Sequence, residues 1–359
     1  MNAERWIKQN TFHHSSFSDL NELVRLKKRQ SARITLITPV LNEEATIGRI
    51  VSVLRSELMV KSALLDELIV IDSGSGDRTC EIAESQGAKV YLAEQILPEE
   101  GVFRGKGENL WKGLFVSEGD IIACIDGDIR NIHPKFVYGI IGPLLANRNI
   151  GFVKAFYERP LVNGNRITPL EGGRVTQILI KPLLNMFFPQ LSNIIQPLSG
   201  EYAGRREIFE SIPFSVGYGV EIGLLIDIFQ QHGLSSLAQV DLDCRIHRNR
   251  DLEALERMSY NILQAFFDRA ERYGKLGMGS EIPSRYWQTI KKGNELIFKE
   301  FEIKETSRLP VATLEAYRKR MSVSRSVLSS ASIDKLRTSL GGAPVKPLIP
   351  KEEQWRTKR

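Results

Sequence analysis

Residues 120–128 read Asp120-Ile121-Ile122-Ala123-Cys124-Ile125-Asp126-Gly127-Asp128. An apolar run of strand length ends in two carboxylates with one glycine between them. In extended backbone, residues two apart face the same side, so both carboxylates point at one object, and the glycine lets the backbone approach it closely. Two crowded carboxylates call for a cation. A hard divalent ion such as Mg²⁺ or Mn²⁺ takes oxygen ligands and is commonly shared with the phosphates of a nucleotide. Taken alone, the motif also fits an ordinary acidic turn after a strand.

Working outward, the same pattern recurs. RITLITPV (33–40) precedes a segment of helical period from Glu43 to Leu58, and ELIVIDSG (67–74) precedes a helix that opens near Asp77 and stops at Gly87. AKVYLA (88–93) and a helix from Glu108 to Ser117 lead into the acidic strand. Such alternation implies βαβ crossovers, hence an α/β fold with a mostly parallel sheet and helices on both faces. Ligands of these sheets bind beyond the carboxyl ends of the strands. Those ends are polar here: Thr38-Pro39-Val40-Leu41-Asn42-Glu43, Asp72-Ser73-Gly74-Ser75 and Asp126-Gly127-Asp128. Past Ile150 the alternation loosens into a strand-like GFVKAFY (151–157), a helix after Gly173, another over 220–231 and a strand-like VDLDCRIH (240–247).

Composition bounds the function classes. The chain has 359 residues, 42% hydrophobic and 26% charged, which fits a folded core and excludes wholesale disorder or a fibrous protein. Cys80, Cys124 and Cys244 are too widely spaced for a redox pair, a clustered thiolate zinc site or a disulfide scaffold, and point to a reducing compartment. The net charge of +6 is concentrated near the termini, where it reads as solvated charge rather than a nucleic-acid footprint. MNAERWIKQN at the start has no apolar core for a secretory signal. The uncharged stretch Pro182–Gly200 is interrupted by Pro189 and Pro197 and diluted by Asn185, Gln190, Asn193 and Gln196, so no membrane span is expected; it reads as buried or interfacial surface.

Further motifs carry chemistry. Gly105-Lys106-Gly107-Glu108 opens a helix, where flexible glycines would present backbone N–H groups and an ammonium to a phosphate or ribose. Gly172-Gly173-Arg174-Val175-Thr176 groups glycines, a guanidinium and a hydroxyl in one turn, suited to a second anion. Arg245-x-His247-Arg248-Asn249 closes a strand, and its imidazole is either structural or a ligand of the ion at the Asp pair. Tyr218 and Glu221 lie at a helix start, where capping explains Glu221 equally well. No Gly-x-x-x-x-Gly-Lys-Ser/Thr loop is present, and Gly217-x-Gly219 with Gly223 has the wrong spacing for a dinucleotide fingerprint.

In this order the motifs resemble those of the glucosyl-3-phosphoglycerate synthases and the related mannosyl-3-phosphoglycerate synthases, retaining glycosyltransferases with a family A-type nucleotide-sugar-binding fold. The resemblance runs from Ile34 to Phe267 and rests on Pro39–Glu44, Asp72–Ser75, Gly105–Glu108, Gly173–Thr176, Gly200-Glu201-Tyr202, Gly217–Glu221 and His247-Arg248-Asn249. It implies an N-terminal helical or linker extension (1–32), a nucleotide-sugar-binding domain (33–150), an acceptor-binding lobe (151–275) and a helical C-terminal extension with a mobile basic tail (276–359).

The implied activity moves glucose, UDP-glucose being the favoured donor, to the 2-hydroxyl of 3-phosphoglycerate, with Mg²⁺ or Mn²⁺, in a cytoplasmic homodimer that binds no nucleic acid. Pro39, Val40, Leu41, Asn42, Glu43, Ser73 and Lys106 would hold the donor nucleotide. Asp126 and Gly127 would meet its ribose and sugar, Asp128 and His247 the metal, and Glu221 the transferred hexose beside Asp126 and Asp128 as the catalytic group. Gly173, Arg174, Val175, Thr176 and Asn249 would hold the acceptor. Gly127 departs from the serine expected there in most relatives. A GDP-mannose enzyme, a polyprenyl-phosphate or polysaccharide transferase and a basic nucleic-acid-binding protein are the alternative readings.

Overall fold

The computed structural model describes residues 3–163, 166–168, 173–246, 251–292 and 295–324. The first half alternates as the apolar runs require: α1 (Ala3–Asn10), β1 (Thr11–His13), α2 (Leu20–Gln30), β2 (Ile34–Val40), α3 (Ile47–Arg55), β3 (Glu67–Asp72), α4 (Thr79–Ser85), β4 (Lys89–Leu92), α5 (Lys106–Val116), β5 (Ile121–Cys124), α6 (Lys135–Ala146) and β6 (Phe152–Glu158). The second half holds β7 (Leu161–Asn163), β8 (Arg166–Thr168), α7 (Lys181–Phe187), β9 (Tyr202–Arg205), α8 (Arg206–Ser211), β10 (Phe214–Ser215), α9 (Val220–His232) and β11 (Leu237–Cys244). It ends with α10 (Leu252–Arg272), β12 (Arg285–Lys292), β13 (Glu295–Glu302), β14 (Ser307–Arg308) and α11 (Glu315–Ser324).

Eight strands form one sheet in the order β1-β11-β6-β9-β5-β2-β3-β4. All pairings are parallel except those of β9, which runs antiparallel between β5 and β6. Two antiparallel steps restore direction, so β11, β6, β5, β2 and β3 all end at one edge. The strands are apolar on both faces, as a sheet covered by helices on each side must be. Ile37, Ile71, Ile122 and Cys124 pack into one core with Trp111 and Leu114 of α5 and Leu225 of α9. Their neighbours Leu36, Val70, Ile121 and Ala123 pack into the other core with Val51 of α3 and Ile141 of α6.

Two segments differ from the expectation, and the uncharged stretch agrees with it. The segment over 1–32 is joined to the main sheet: β1 pairs in parallel with β11, and α2 is capped by Asp19, which accepts from the Glu22 N–H at 3.1 Å. Ahead of α11 the C-terminal part contains an antiparallel β12–β13 hairpin, with Arg285 opposite Glu302 and Lys292 opposite Glu295. The uncharged stretch after Lys181 becomes α7 and a short helical turn over Pro189–Asn193, with Leu184, Phe188, Leu191 and Ile194 buried. Among the described residues no helix is long and apolar enough to cross a membrane.

The anchor of the N-terminal segment is Trp6, fully buried, whose indole N–H is shared by the carbonyls of Leu234 (2.8 Å) and Leu237 (3.1 Å). Truncation leaves a large cavity and two carbonyls short of a donor. Trp6→Ala is therefore expected to lower stability by about 3 kcal/mol, read as a fall of about 4 °C in melting temperature.

Candidate functional site

The shared strand edge concentrates the polar residues. β2 and β3 are in register to their ends, Val40 opposite Asp72, and β5 lies beside β2 with Cys124 opposite Ile37. The loops after these strands therefore emerge side by side. Thr46 Oγ1 donates to the Gly127 carbonyl at 2.6 Å and ties the acidic loop to the start of α3. Asp72 accepts from the Ser75 N–H (2.9 Å) and hydroxyl (2.6 Å), closing the second loop into a turn.

These loops, the start of α5, the turn before α7 and the start of α9 enclose a cleft of about 520 Å³. It brings together Pro39, Val40, Leu41, Glu43, Ser73, Lys106, Asp126, Gly127, Asp128, Gly173, Arg174, Val175, Thr176 and Glu221, stretches far apart in the chain that the sequence singles out for one site. Asn42 does not line the cleft. Its backbone is left-handed (φ +57°) and its side chain accepts the Gly76 N–H at 2.9 Å, so it braces the neighbouring loop. His247 and Asn249 lie outside the described residues. Ile246, next to His247, is fixed beside the acids: the Arg130 N–H donates to its carbonyl at 2.9 Å, and its own N–H donates to Asn131 Oδ1 at 2.8 Å.

The electrostatic centre of the cleft is Arg245, absent from the residues singled out as site candidates. It follows β11 at the same sheet edge, and its side chain is buried. Nη2 donates to Asp126 Oδ2 at 2.9 Å and to Asp128 Oδ1 at 2.5 Å. Nη1 donates to the Tyr157 hydroxyl at 3.1 Å, and Nε lies 3.4 Å from Glu201 Oε1. Asp126 is also paired with Lys106, whose ammonium lies 2.7 Å from Glu221 Oε1. Glu221 is thus an ion-pair partner in the cleft rather than a helix cap.

These contacts set the ionisation of the group. Burial works to raise the Asp126 carboxyl, but Lys106 and Arg245 outweigh it and hold the carboxyl well below the usual range. Burial likewise disfavours the Lys106 ammonium, yet Asp126 and Glu221 raise its pKa. Lys154, on β6, is brought down to about 7, first by burial and also by Lys106, against the pull of Glu221. Its Nζ donates to the Ser199 carbonyl at 2.6 Å. Burial raises the Glu201 carboxyl, with Asp126 adding to the rise and Arg245 opposing it.

Two glycine motifs have a different basis from the one expected. A Cβ at Gly105 or Gly107 would collide with the backbone carbonyls of Val216 or Ser215. The N–H groups of Gly107 and Glu108 donate to the carbonyls of Gly217 (3.3 Å) and Val216 (3.0 Å). The expected presentation of these N–H groups to a phosphate is therefore corrected: they hold α5 against the 215–217 strand end, and Lys106 alone of that motif reaches the charged centre. Gly200 leaves room for Asp126, whose carboxylate would clash with any Cβ at position 200. At Gly127 a Cβ would meet Val40 Cγ1 at 2.8 Å, so glycine suits the close packing of the two loops in this chain.

Asp126 and Asp128 fit a divalent cation. One cationic nitrogen already lies within 2.9 Å of an oxygen from each, showing that both carboxylates converge on a single positive centre.

The model of glycosyl transferase family 2 matches residues 35–213. The glucosyl-3-phosphoglycerate synthase of Petrotoga mobilis is 51% identical over 316 residues, covering 88% of this chain and 97% of the relative. A crystal structure of mannosyl-3-phosphoglycerate synthase from Rubrobacter xylanophilus superimposes with a TM-score of 0.79 at 35% identity, covering 87% of this chain and 97% of that one. Glucosyl-3-phosphoglycerate synthase from Mycobacterium tuberculosis, in complex with Mn²⁺, UDP and glucosyl-3-phosphoglycerate, superimposes with a TM-score of 0.73 at 40% identity, covering 84% and 98%.

Removing the Arg245 charge leaves Asp126, Asp128 and Glu201 crowded with one cation fewer. Arg245→Met is expected to cost about 3 kcal/mol at neutral pH. A carboxyl depressed in the folded state stabilises above its unfolded value and loses that contribution as pH falls. The gap between wild type and variant should therefore narrow as pH falls through about 4, measured by urea unfolding at several pH values.

Proposed function

This chain belongs to the glucosyl-3-phosphoglycerate synthase family, and we propose that it transfers glucose from UDP-glucose to the 2-hydroxyl of 3-phosphoglycerate with retention of anomeric configuration. The observation that carries this reading is the meeting, in one cleft, of the nucleotide-side loops, the acid pair and the Gly173–Thr176 turn.

In this reading Pro39, Val40, Leu41, Glu43 and Ser73 form the wall against which the uridine rests. Ser73 is held in place by Asn109, whose Oδ1 accepts its hydroxyl at 2.9 Å and whose amide donates to the Ile71 carbonyl. Asp126 meets the ribose and the sugar, and Lys106 lies on the nucleotide side while paired with Asp126 and Glu221. Arg174 and Thr176 hold the acceptor's phosphate and carboxylate, a guanidinium fork being suited to both. Asp128, with His247, would hold Mg²⁺ or Mn²⁺, the ions found with UDP in the M. tuberculosis structures. A bound divalent ion supplies positive charge for the departing diphosphate and so replaces a general acid.

The acceptor hydroxyl attacks the anomeric carbon from the face the diphosphate leaves. The bond from that carbon to the phosphate oxygen breaks, the new glycosidic bond forms, and the hydroxyl proton passes to the released phosphate oxygen. Among the cleft carboxylates, Asp126 and Glu221 are engaged by Lys106 and Arg245, an arrangement suited to orienting the hexose and stabilising positive charge on its ring rather than to covalent attack. The free cysteines Cys80, Cys124 and Cys244 fit a reducing, cytoplasmic setting. A homodimer is carried over from the family resemblance.

A matrix of UDP-glucose, GDP-glucose and GDP-mannose against 3-phosphoglycerate, with and without Mg²⁺, tests donor, acceptor and metal together. Product with UDP-glucose and metal is expected, and preferential turnover of GDP-mannose would overturn the donor assignment. Asp128→Ala is expected to cut turnover at least ~100-fold and to abolish the metal dependence. Arg174→Ala is expected to raise the acceptor KM by ~10-fold or more while leaving that of the donor near wild type.

A further inference from the structure

Outside the cleft, a second group of ligand-type side chains converges at the outer edge of the main sheet. His13 ends β1, His14 opens the short helical turn His14–Phe17, and Asp243 lies near the end of β11, the strand with which β1 pairs. The β11–β6 register shifts between Asp241 and Cys244, and Asp243 has a left-handed backbone (φ +62°), unusual for a residue other than glycine. Such an irregularity re-aims a side chain. Here it turns the Asp243 carboxylate onto both imidazoles, with Oδ1 2.9 Å from His13 Nε2 and Oδ2 2.6 Å from His14 Nε2. The three ligand atoms lie within 4.8 Å of one another.

The far ring nitrogens meet hydroxyls, and His13 Nδ1 also accepts the Ser15 N–H at 3.3 Å. His13 Nδ1 lies 2.7 Å from Ser15 Oγ, and His14 Nδ1 lies 3.3 Å from the Tyr138 hydroxyl. The Tyr138 hydroxyl both donates and accepts, so it accepts the Nδ1–H hydrogen bond of His14 when Nε2 is used as a ligand; at His13 the Ser15 N–H favours the other tautomer, and ligation turns the ring proton onto Ser15 Oγ at the expense of that 3.3 Å contact. That is the outer-shell arrangement that orients metal-bound histidines.

We propose that His13, His14 and Asp243 form a second metal site, for a divalent transition ion of the Zn²⁺ class, which clasps the N-terminal segment to β11 two residues before Arg245. Two imidazoles and one carboxylate are a donor set of that class, distinct from the all-oxygen preference of Mg²⁺. An ion bonded at roughly 2.0–2.1 Å to each atom requires the three to open from their present hydrogen-bond distances, and an open side faces solvent through His13 and Asp243, each about half exposed. Lys135 is the built-in competitor: its Nζ lies 2.6 Å from Asp243 Oδ2, the oxygen that also meets His14. A metal ion releases that ammonium.

The test uses the full chain with Co²⁺ and Zn²⁺ as probes, without nucleotide. Calorimetry and the visible absorption of bound Co²⁺ should reveal a site that persists in Asp128→Ala. Its affinity should fall at least ~10-fold in His14→Ala and in Asp243→Asn. Lys135→Met keeps all three ligands and should bind more tightly than wild type, which separates ligation from a loss of folding. Zn²⁺ should raise the melting temperature of wild type and Lys135→Met but not that of His14→Ala. Unchanged Co²⁺ spectra and stoichiometry in the His14 and Asp243 variants, or weaker binding in Lys135→Met, would overturn the site.

Discussion

A buried guanidinium shared by three carboxylates organises the cleft. Without Arg245, Asp126 and Asp128 would face each other at the end of β5 with Glu201 close behind, and mutual repulsion would favour splaying the loop or protonating one acid. With it, both acids are paired with one cation and aimed at one point. The arrangement is possible only because β9 runs antiparallel between β5 and β6. That insertion delivers Gly200 and Glu201 to the edge where β5 and β11 end, and Gly200 supplies the space that the Asp126 carboxylate fills.

The rest of the molecule keeps that edge in position from outside. Arg308, on β14, donates to both carboxylate oxygens of the fully buried Glu108, at 2.7 Å for Oε2 and 2.5 Å for Oε1, and so fixes the first turn of α5. Glu305 accepts the N–H groups of Gly217 (3.0 Å) and Gly219 (3.2 Å) just before α9. The C-terminal segment thus sets the two helix starts that carry Lys106 and Glu221. A buried ion pair of this kind gives little net stability, because desolvation offsets attraction, but it specifies one geometry when each partner is fully satisfied.

The strand–helix alternation of the first half and the acid pair were legible because their signals are local, whereas the strand order and the antiparallel β9 between β5 and β6 were not. An apolar run of four to eight residues ending in polar turn residues identifies a strand wherever it occurs, and two carboxylates two residues apart announce a shared target. Lys106 and the Gly173–Thr176 turn were legible as motifs too, although the role read for Gly105 and Gly107 was wrong, since close backbone packing and ligand binding both select glycine. Glu305 and Arg308 were not legible as parts of the site, and Arg245 and Gly200, although they stand within quoted motifs, gave no sign of the contacts they make with Asp126. Each acts through contacts with residues tens to hundreds of positions away, which no spacing rule reveals. The β1 edge strand was hidden for a related reason: three residues are too few to show a period.

In the proposed reading, the charge balance of the cleft calls for a metal. Lys106 and Arg245 are engaged by Asp126, Asp128, Glu201 and Glu221, so neither cation is idle. A nucleoside diphosphate entering beside these acids brings at least two further negative charges into a space of limited dielectric. Diverting Lys106 or Arg245 to the phosphates would strip a buried carboxylate of its partner, which costs several kcal/mol. A divalent ion on Asp128 avoids that exchange, because it adds positive charge instead of moving it. The same reasoning explains why the acceptor's anionic groups are assigned to Arg174, on a separate turn of the cleft wall, and not to the central cations. Separate cations for separate anions let donor and acceptor bind together without competing for one guanidinium.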